Sequence, residues 1–471
     1  MLSRFGTAAL ASLLCLHSSV AIGQVALSEL KGAWLGTMQI PDGPRLRVAV
    51  EIFEKADGRW GGNVASLDQG VRYMLVSGVE VSGDTVTVQL AGASVSISGR
   101  FDRDARTITG MFTQEGKGIP LELDSVAELP EIERPQTPTG DVPYRESEVR
   151  IHNTLDDVWL AGTLTAPVGD KAHPAVLLIA GSGPNQRDSW FAGHRPFKVL
   201  ADHFTRRGYV VLRTDKRGVY KSSGDFQKAT IADFVRDARA AVEFLEHDAR
   251  VDSTRIVLVG HSEGSMVAAM VGASEKAVSA IVSMAGPGMS VLDTLLLQDQ
   301  TEPASKGATK ADTQVLLAFS TKFYETVLDT ADPAERRKRL QALYDALSGQ
   351  DASVVNKWND RSGTLDVDYA SSDSFFQLLQ DDPATSWRKV SVPVLVLQGD
   401  KDSQVSARES VAAILKALEH DPDPVRSKLF PGLNHRFQTA ETGSTDEYGK
   451  IDESISPLVL SAVDRWLDTL D

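Results

Sequence analysis

Two hydrophobic rhythms divide this chain. From about Glu29 to Leu123 polar and apolar residues alternate: Arg45-Leu46-Arg47-Val48-Ala49-Val50-Glu51-Ile52, Thr85-Val86-Thr87-Val88-Gln89-Leu90 and Ser94-Val95-Ser96-Ile97-Ser98. A period of two means strands with one wet face, and the turn signals Asp57-Gly58 and Ser82-Gly83-Asp84 separate them at short intervals. Residues 24–127 are therefore expected to form a small antiparallel barrel or sandwich. Pro130, Pro135 and Pro138 then mark residues 128–143 as a semi-rigid extended linker.

Beyond the linker the runs are continuously apolar. Ala175–Ala180, Tyr209–Leu212, Ile256–Val259, Ala280–Val282 and Val394–Leu397 read as strands buried on both faces of a parallel sheet. Helix-period segments lie between them, such as Ile231–Leu245 with Ile231, Phe234, Val235, Ala238, Val242 and Leu245 on one face. A last helix opens at Ser456-Pro457. The alternation predicts an α/β class, with a doubly wound, mostly parallel sheet over residues 144–471. Residues 287–387 break it with helical segments such as 312–330 and 333–347, and read as a cap over the cleft.

Composition changes one part of this picture. Arg4, the apolar stretch around Ala8–Leu16 and the small residues of Ala21-Ile22-Gly23 have the form of a cleaved leader, too short to span a bilayer. Residues 1–23 are expected to be a signal peptide, giving a periplasmic or secreted protein beginning at Gln24. The one cysteine, Cys15, falls in that leader, so a disulfide, a thiolate nucleophile and a cysteine-bound metal are excluded from the mature chain. The net charge of −15 argues against nucleic acid and anionic membrane surfaces as partners, and no stable membrane insertion is expected. The sequence does not indicate an oligomeric state.

The chemistry concentrates at Gly260-His261-Ser262-Glu263-Gly264, a G-x-S-x-G between a buried strand and a helix. That context suits a sharp turn presenting Ser262 as nucleophile. A serine needs a base, and the base needs a carboxylate, in the chain order Ser, acid, His. Gly399-Asp400-Lys401-Asp402 follows a strand, with Asp402 chosen as the acid and Asp400 as a backbone holder that could replace it. His435 follows the short strand around Lys428–Phe430 and is the expected base, whereas the rival His420 lies before that strand. The oxyanion donors are expected at the amide of Glu263 and in Gly181-Ser182-Gly183-Pro184, at Ser182 or Gly183. His261 reads as a packing residue of the turn. Arg187, Asp188, Asp215 and Arg217 read as buried ion pairs shaping the loops. No histidine spacing suits zinc, and neither a metal nor another cofactor is expected.

Residues of about 145–471 resemble the α/β-hydrolase superfamily, in its bacterial esterase and serine-aminopeptidase-like branch. The matching residues are Gly181–Pro184 with Arg187-Asp188, Leu212-Arg213-Thr214-Asp215-Lys216-Arg217-Gly218, Gly260–Gly264 and Gly399–Asp402. In that branch the second carboxylate of such a loop is the acid, which adds to the choice of Asp402. The sequence departs at Tyr220, where the branch often has a small glycine. The region upstream resembles the accessory β domains of some exported esterases.

The expected function is hydrolysis of a small-molecule carboxylic ester by a Ser-His-Asp acyl-enzyme route. The first alternative is an aminopeptidase acting on short peptides, which needs paired carboxylates for a free ammonium, with candidates Glu302, Asp373, Asp381 and Asp382. The second is an envelope binding protein without turnover. Phe319, Phe323, Phe375 and Phe376 are expected among the groups roofing the cleft.

Overall fold

The computed structural model describes residues 25–470 except 42, 69–70, 91–94, 115, 131–132, 360–362 and 420–424. The leader, Gln24 and His420 lie outside the described residues.

Eight strands precede the linker: β1 Gly32–Gln39, β2 Arg45–Glu54, β3 Trp60–Ser66, β4 Val71–Ser82, β5 Thr85–Leu90, β6 Val95–Asp102, β7 Thr107–Gln114 and β8 Lys117–Val126. Each pairs antiparallel with the next, and β1 pairs with β8 to close a barrel. The alternation read from sequence fills its interior: Val86, Val88 and Leu90 point inward beside Trp34, whose indole meets Phe101 edge-on. Closure draws β1 so close to β8 that a Cβ at Gly36 would stand 2.0 Å from the carbonyl oxygen of Glu122. Only glycine fits there.

The segment read as a semi-rigid extended linker is bonded to the domain that follows it. Arg134 donates to the carbonyls of Ala192, Gly449 and Ile451, and Gln136 bonds the backbone of Ser454 and Ile455. Its polar side chains staple it to the α/β domain.

That domain holds an eight-stranded sheet of β9 Tyr144–Asn153, β10 Val158–Pro167, β11 His173–Ile179, β12 Val210–Thr214, β13 Val251–His261, β14 Val278–Met284, β15 Val394–Gly399 and β16 Arg426–Phe430. The order is β16-β15-β14-β13-β11-β12-β10-β9, parallel except where β10 meets β9 and β12. Helices α1 (Pro196–Arg206), α2 (Ile231–Glu246) and α3 (Glu263–Gly272) precede a helical excursion of α4 (Val291–Ser305), α5 (Lys310–Leu328), α6 (Pro333–Asp345), α7 (Gly349–Trp358), α8 (Val367–Ala370), α9 (Asp373–Leu378) and α10 (Pro383–Trp387). Helices α11 (Ala407–Ala417) and α12 (Pro457–Leu467) complete the chain. Phe197, Phe204, Val463 and Trp466 of α1 and α12 cover one sheet face, and Val235, Val267 and Ile414 of α2, α3 and α11 cover the other. The sheet is thus doubly wound, an α/β-hydrolase architecture. The excursion packs its own core around Phe323, Tyr324, Leu340, Val355 and Phe375, and Met266 of α3 joins it.

Candidate active site

Ser262 caps α3 immediately after β13, with φ 55° and ψ −125°. A non-glycine residue in that region is strained and persists only where its surroundings hold it. Here glycines permit the turn. A Cβ at Gly260 would lie 2.2 Å from the Gly264 carbonyl oxygen, and one at Gly264 would lie 2.1 Å from that of Ile179. Strand and helix can therefore nearly touch, leaving the serine at the tip.

The loops after β15 and β16 bring Asp402 and His435 together. His435 Nδ1 lies 2.7 Å from Asp402 Oδ2, and both side chains are buried. Asp402 is held from every side: Oδ2 also accepts from Gln398 Nε2 at 2.7 Å, and Oδ1 accepts from the amides of Gln404 and Val405 at 2.8 Å. The carboxylate needs these donors because it is out of water. It fixes the proton of His435 on Nδ1, which leaves the Nε2 lone pair free to act as a base. Asp400 instead accepts from the Gly432 amide and secures the loop.

His261 ties the base to the turn. Its Nε2 donates to the carbonyl oxygen of His435 at 2.9 Å. Burial, with His435 and Arg436 nearby, pushes its protonation far below the ordinary histidine range. It is a neutral strut next to Ser262.

Ser182, Ser262 and Glu263 line one cavity of about 440 Å³ under α4, together with Met266, Val291, Leu295, Asp299 and Glu302. Neither the Ser182 nor the Glu263 amide has a hydrogen-bond acceptor among the described residues. The reason at Ser182 is Asn185, a residue the sequence reading passed over. Its Nδ2 donates to the carbonyls of Gly181, Ser182 and Gly183 at 2.9, 2.7 and 3.2 Å. In a trans peptide N–H and C=O point oppositely. Gathering those carbonyls turns the amides of Ser182 and Gly183 the other way, which leaves both expected donors open. The one signal for Asn185 was its place after Gly-Pro, where a turn-forming side chain belongs. Gln398 carried a clearer one, a polar residue ending the run Val394–Leu397.

The loop charges pair as expected. Arg187 grips Asp215 through two nitrogens, at 3.1 and 2.9 Å, and reaches Glu148 at 2.7 Å. Arg213 bonds Asp188 at 2.8 Å, and Arg217 bonds Asp237, Asp233 and Asp156. Lys216 Nζ lies 2.8 Å from Glu263 Oε1, fixing the residue after the serine.

The roof differs from expectation. Phe323 and Phe375 are wholly buried in the cap's own core, and none of the four expected phenylalanines lines the cavity. Leu316, Trp358, Leu365 and Leu378 do. Interior and roof faces of a cap helix share one apolar composition, so the sequence could not separate them. Among the described residues no group of three or more His, Asp or Glu side chains could hold a metal ion.

Asp299 was also missed. Its carboxyl lines the cavity and accepts from the Tyr324 hydroxyl at 2.9 Å, and burial pushes it up to about 6 from 3.8. Such a group costs the fold nothing below the unfolded value, and an increasing amount as the pH rises through the folded one. The two-unit rise corresponds to about 3 kcal/mol at neutral pH. Asp299→Asn keeps the acceptor for Tyr324 without a buried charge. In denaturant unfolding it is expected to gain up to about 3 kcal/mol over wild type at neutral pH, a difference that vanishes below about pH 4. A gain that persists unchanged in acid would refute this account.

Residues 194–441, just over half of the chain, match the family described as serine aminopeptidase, S33. Esterase EstD of Thermotoga maritima is 24% identical over 393 residues, covering 82% of each chain. Since residues 144–471 make up less than three quarters of this chain, that similarity reaches into the barrel and linker. Among solved structures, an esterase of Pyrococcus furiosus, Pf2001, is 16% identical with a TM-score of 0.40, over 72% of this chain and 99% of that one. Hypothetical protein PA2218 of Pseudomonas aeruginosa is 18% identical with a TM-score of 0.45, over 73% and 98%. The chain belongs to the serine aminopeptidase S33 family of hydrolases.

Proposed function

We propose that this protein is a serine hydrolase of carboxylic esters, acting through an acyl-enzyme. The observation that carries the reading is the buried His435–Asp402 pair, whose loop is bonded to His261, the residue immediately before Ser262. His435 Nε2 takes the proton of Ser262 as the hydroxyl oxygen attacks the ester carbonyl. The amides of Glu263 and Ser182 receive the oxyanion. Collapse expels the alcohol, which takes the proton from His435. Water, deprotonated by the same nitrogen, then cleaves the acyl-enzyme and restores the serine.

The resemblance to an enzyme named as an esterase supports esters as the substrate class. The aminopeptidase reading draws on Asp299 and Glu302, which lie near each other on α4 and both line the cavity. Their partners weigh against it. Glu302 is already engaged by Lys306, Ser403 and Thr445, and the Asp299 carboxyl is engaged by the Tyr324 hydroxyl. Asp373 is exposed and Asp382 caps α10, so neither serves a substrate ammonium. Asp381 is half-buried, its carboxyl pushed up to about 6 by burial and by the charge of Glu263. Asp373, Asp381 and Asp382 are not among the residues lining the cavity, and the two carboxylates that do line it are engaged by neighbours.

Short-chain aryl esters are accordingly expected to give higher kcat/KM than aminoacyl anilides, on one preparation. Preference for the anilides, lost when the amine is blocked, would overturn the ester reading. We also propose export to the periplasm or medium, since residues 1–23 have the form of a cleaved leader. N-terminal sequencing of exported protein should begin at Gln24, and an intact Met1 would refute it.

A further inference from the structure

Tyr220 is a bulky residue with φ 46°, standing where the resemblance leads one to expect glycine. An outlier of this kind needs something that holds it. The holder is the barrel. Along β2 the inward side chains are Leu46, Val48, Val50 and Ile52, which puts Phe53 on the outer face, yet it is only 6% exposed. Its ring packs on that of Tyr220 at 4.7 Å between centroids, inclined by 58°. Beside it the Ala56 amide donates to the Lys221 carbonyl at 2.6 Å.

The loop touched there leads directly to both oxyanion donors. The Lys221 amide donates to Asp215 Oδ2 at 3.3 Å, and Asp215 Oδ1 accepts from the Arg187 amide at 2.8 Å. The Lys216 amide donates to the Asn185 carbonyl at 3.2 Å, and Asn185 orients residues 181–183. The Lys216 ammonium meanwhile holds Glu263. One loop, residues 215–221, thus supports the first donor through Asn185 and the second through Lys216.

We propose that the barrel is a positioning arm for the oxyanion site, with Phe53 and Tyr220 as its positioning residues. The Phe53–Tyr220 contact keeps the loop in its strained form, and that form keeps the two amides in register. This rests on the hydrolase reading above. A misplaced oxyanion donor weakens the transition state and leaves substrate binding alone, so the loss belongs in kcat.

The test compares wild type, Tyr220→Gly, Phe53→Ala, their double variant, Tyr220→Phe and the surface control Met111→Ala. Each is assayed on an aryl ester and for affinity to an aryl boronic acid, whose boron accepts the serine oxygen to give a tetrahedral anion. Tyr220→Gly and Phe53→Ala are each expected to lower kcat about 5- to 20-fold at constant KM, with a matching loss of boronate affinity. The double variant should lose no more than the worse single one, because both break the same contact. Tyr220→Phe and Met111→Ala should stay within about twofold of wild type. Phe53→Ala changes only the barrel surface and carries the test if Tyr220→Gly misfolds. Unchanged kcat in folded Phe53→Ala, a rise in KM alone, or additive losses would overturn the positioning role in an active enzyme. A wild type inactive on all esters and anilides would instead sink the hydrolase reading, and this inference with it.

Discussion

Ser262→Ala is expected to abolish ester turnover while leaving the protein folded. The substitution keeps the Cβ and removes only the hydroxyl, so the strained turn at φ 55° is built as before. The glycines that make the turn possible are untouched, as is the Ser262 amide, which donates to the Met284 carbonyl at 2.8 Å. What disappears is the nucleophile. Loss of a triad serine costs about 10⁶ in kcat, with residual rate over water coming from the oxyanion donors and from binding. Stability should change by less than about 0.5 kcal/mol, as for a substitution that opens no core cavity. Labelling by a fluorophosphonate should vanish together with turnover, while the thermal midpoint holds. Retention of more than about a tenth of the activity by the folded variant would remove Ser262 from the mechanism. Gly264→Ala offers a contrast at the same turn. Its new methyl would meet the Ile179 carbonyl oxygen at 2.1 Å, so activity and stability should fall together.

These two residues also mark what the sequence makes legible. G-x-S-x-G after a continuous apolar run is a local pattern, and the structure places it at the end of β13 as expected. The same holds for the other buried runs, which became β11, β12, β14 and β15, since a strand covered on both faces has to be apolar throughout. The β9–β10 hairpin escaped notice because it lies at the sheet edge, where β9 alternates exposed and buried positions without a continuous run. The linker showed its prolines but not its docking. Arg134 reaches carbonyls more than 300 residues downstream, and no local pattern encodes a contact of that span. Asn185 was hidden for a related reason. Its importance lies in three backbone carbonyls, which any sequence supplies, so only the fold reveals that one amide gathers them.

The choice between the two carboxylates of the Asp400–Asp402 loop rested partly on resemblance, and the hydrogen bonds around each now predict opposite outcomes for the same chemical change. All four neighbours of Asp402 are donors: His435 Nδ1–H, Gln398 Nε2–H and the amides of Gln404 and Val405. An asparagine there has one acceptor oxygen and one NH₂. The backbone amides cannot rotate away, so the oxygen of Asp402→Asn must serve Gln404 and Val405, and the NH₂ must face His435. The imidazole can accept that hydrogen only on Nδ1, which moves its own proton to Nε2 and leaves no lone pair for Ser262. Asp402→Asn is therefore expected to lower kcat by about 10⁴, the cost of the wrong tautomer in a triad whose geometry is otherwise kept. Asp400 sits exposed, and one oxygen accepts from the Gly432 amide at 2.6 Å. An asparagine oxygen can accept the same bond, so Asp400→Asn should keep kcat within about threefold of wild type, having lost only an exposed charge. Steady-state kinetics on one ester, with near-ultraviolet circular dichroism to establish folding, separates the two. Comparable losses in both folded variants would dissolve the division of labour between orienting the base and holding the loop, and the reverse ranking would move the acid to Asp400.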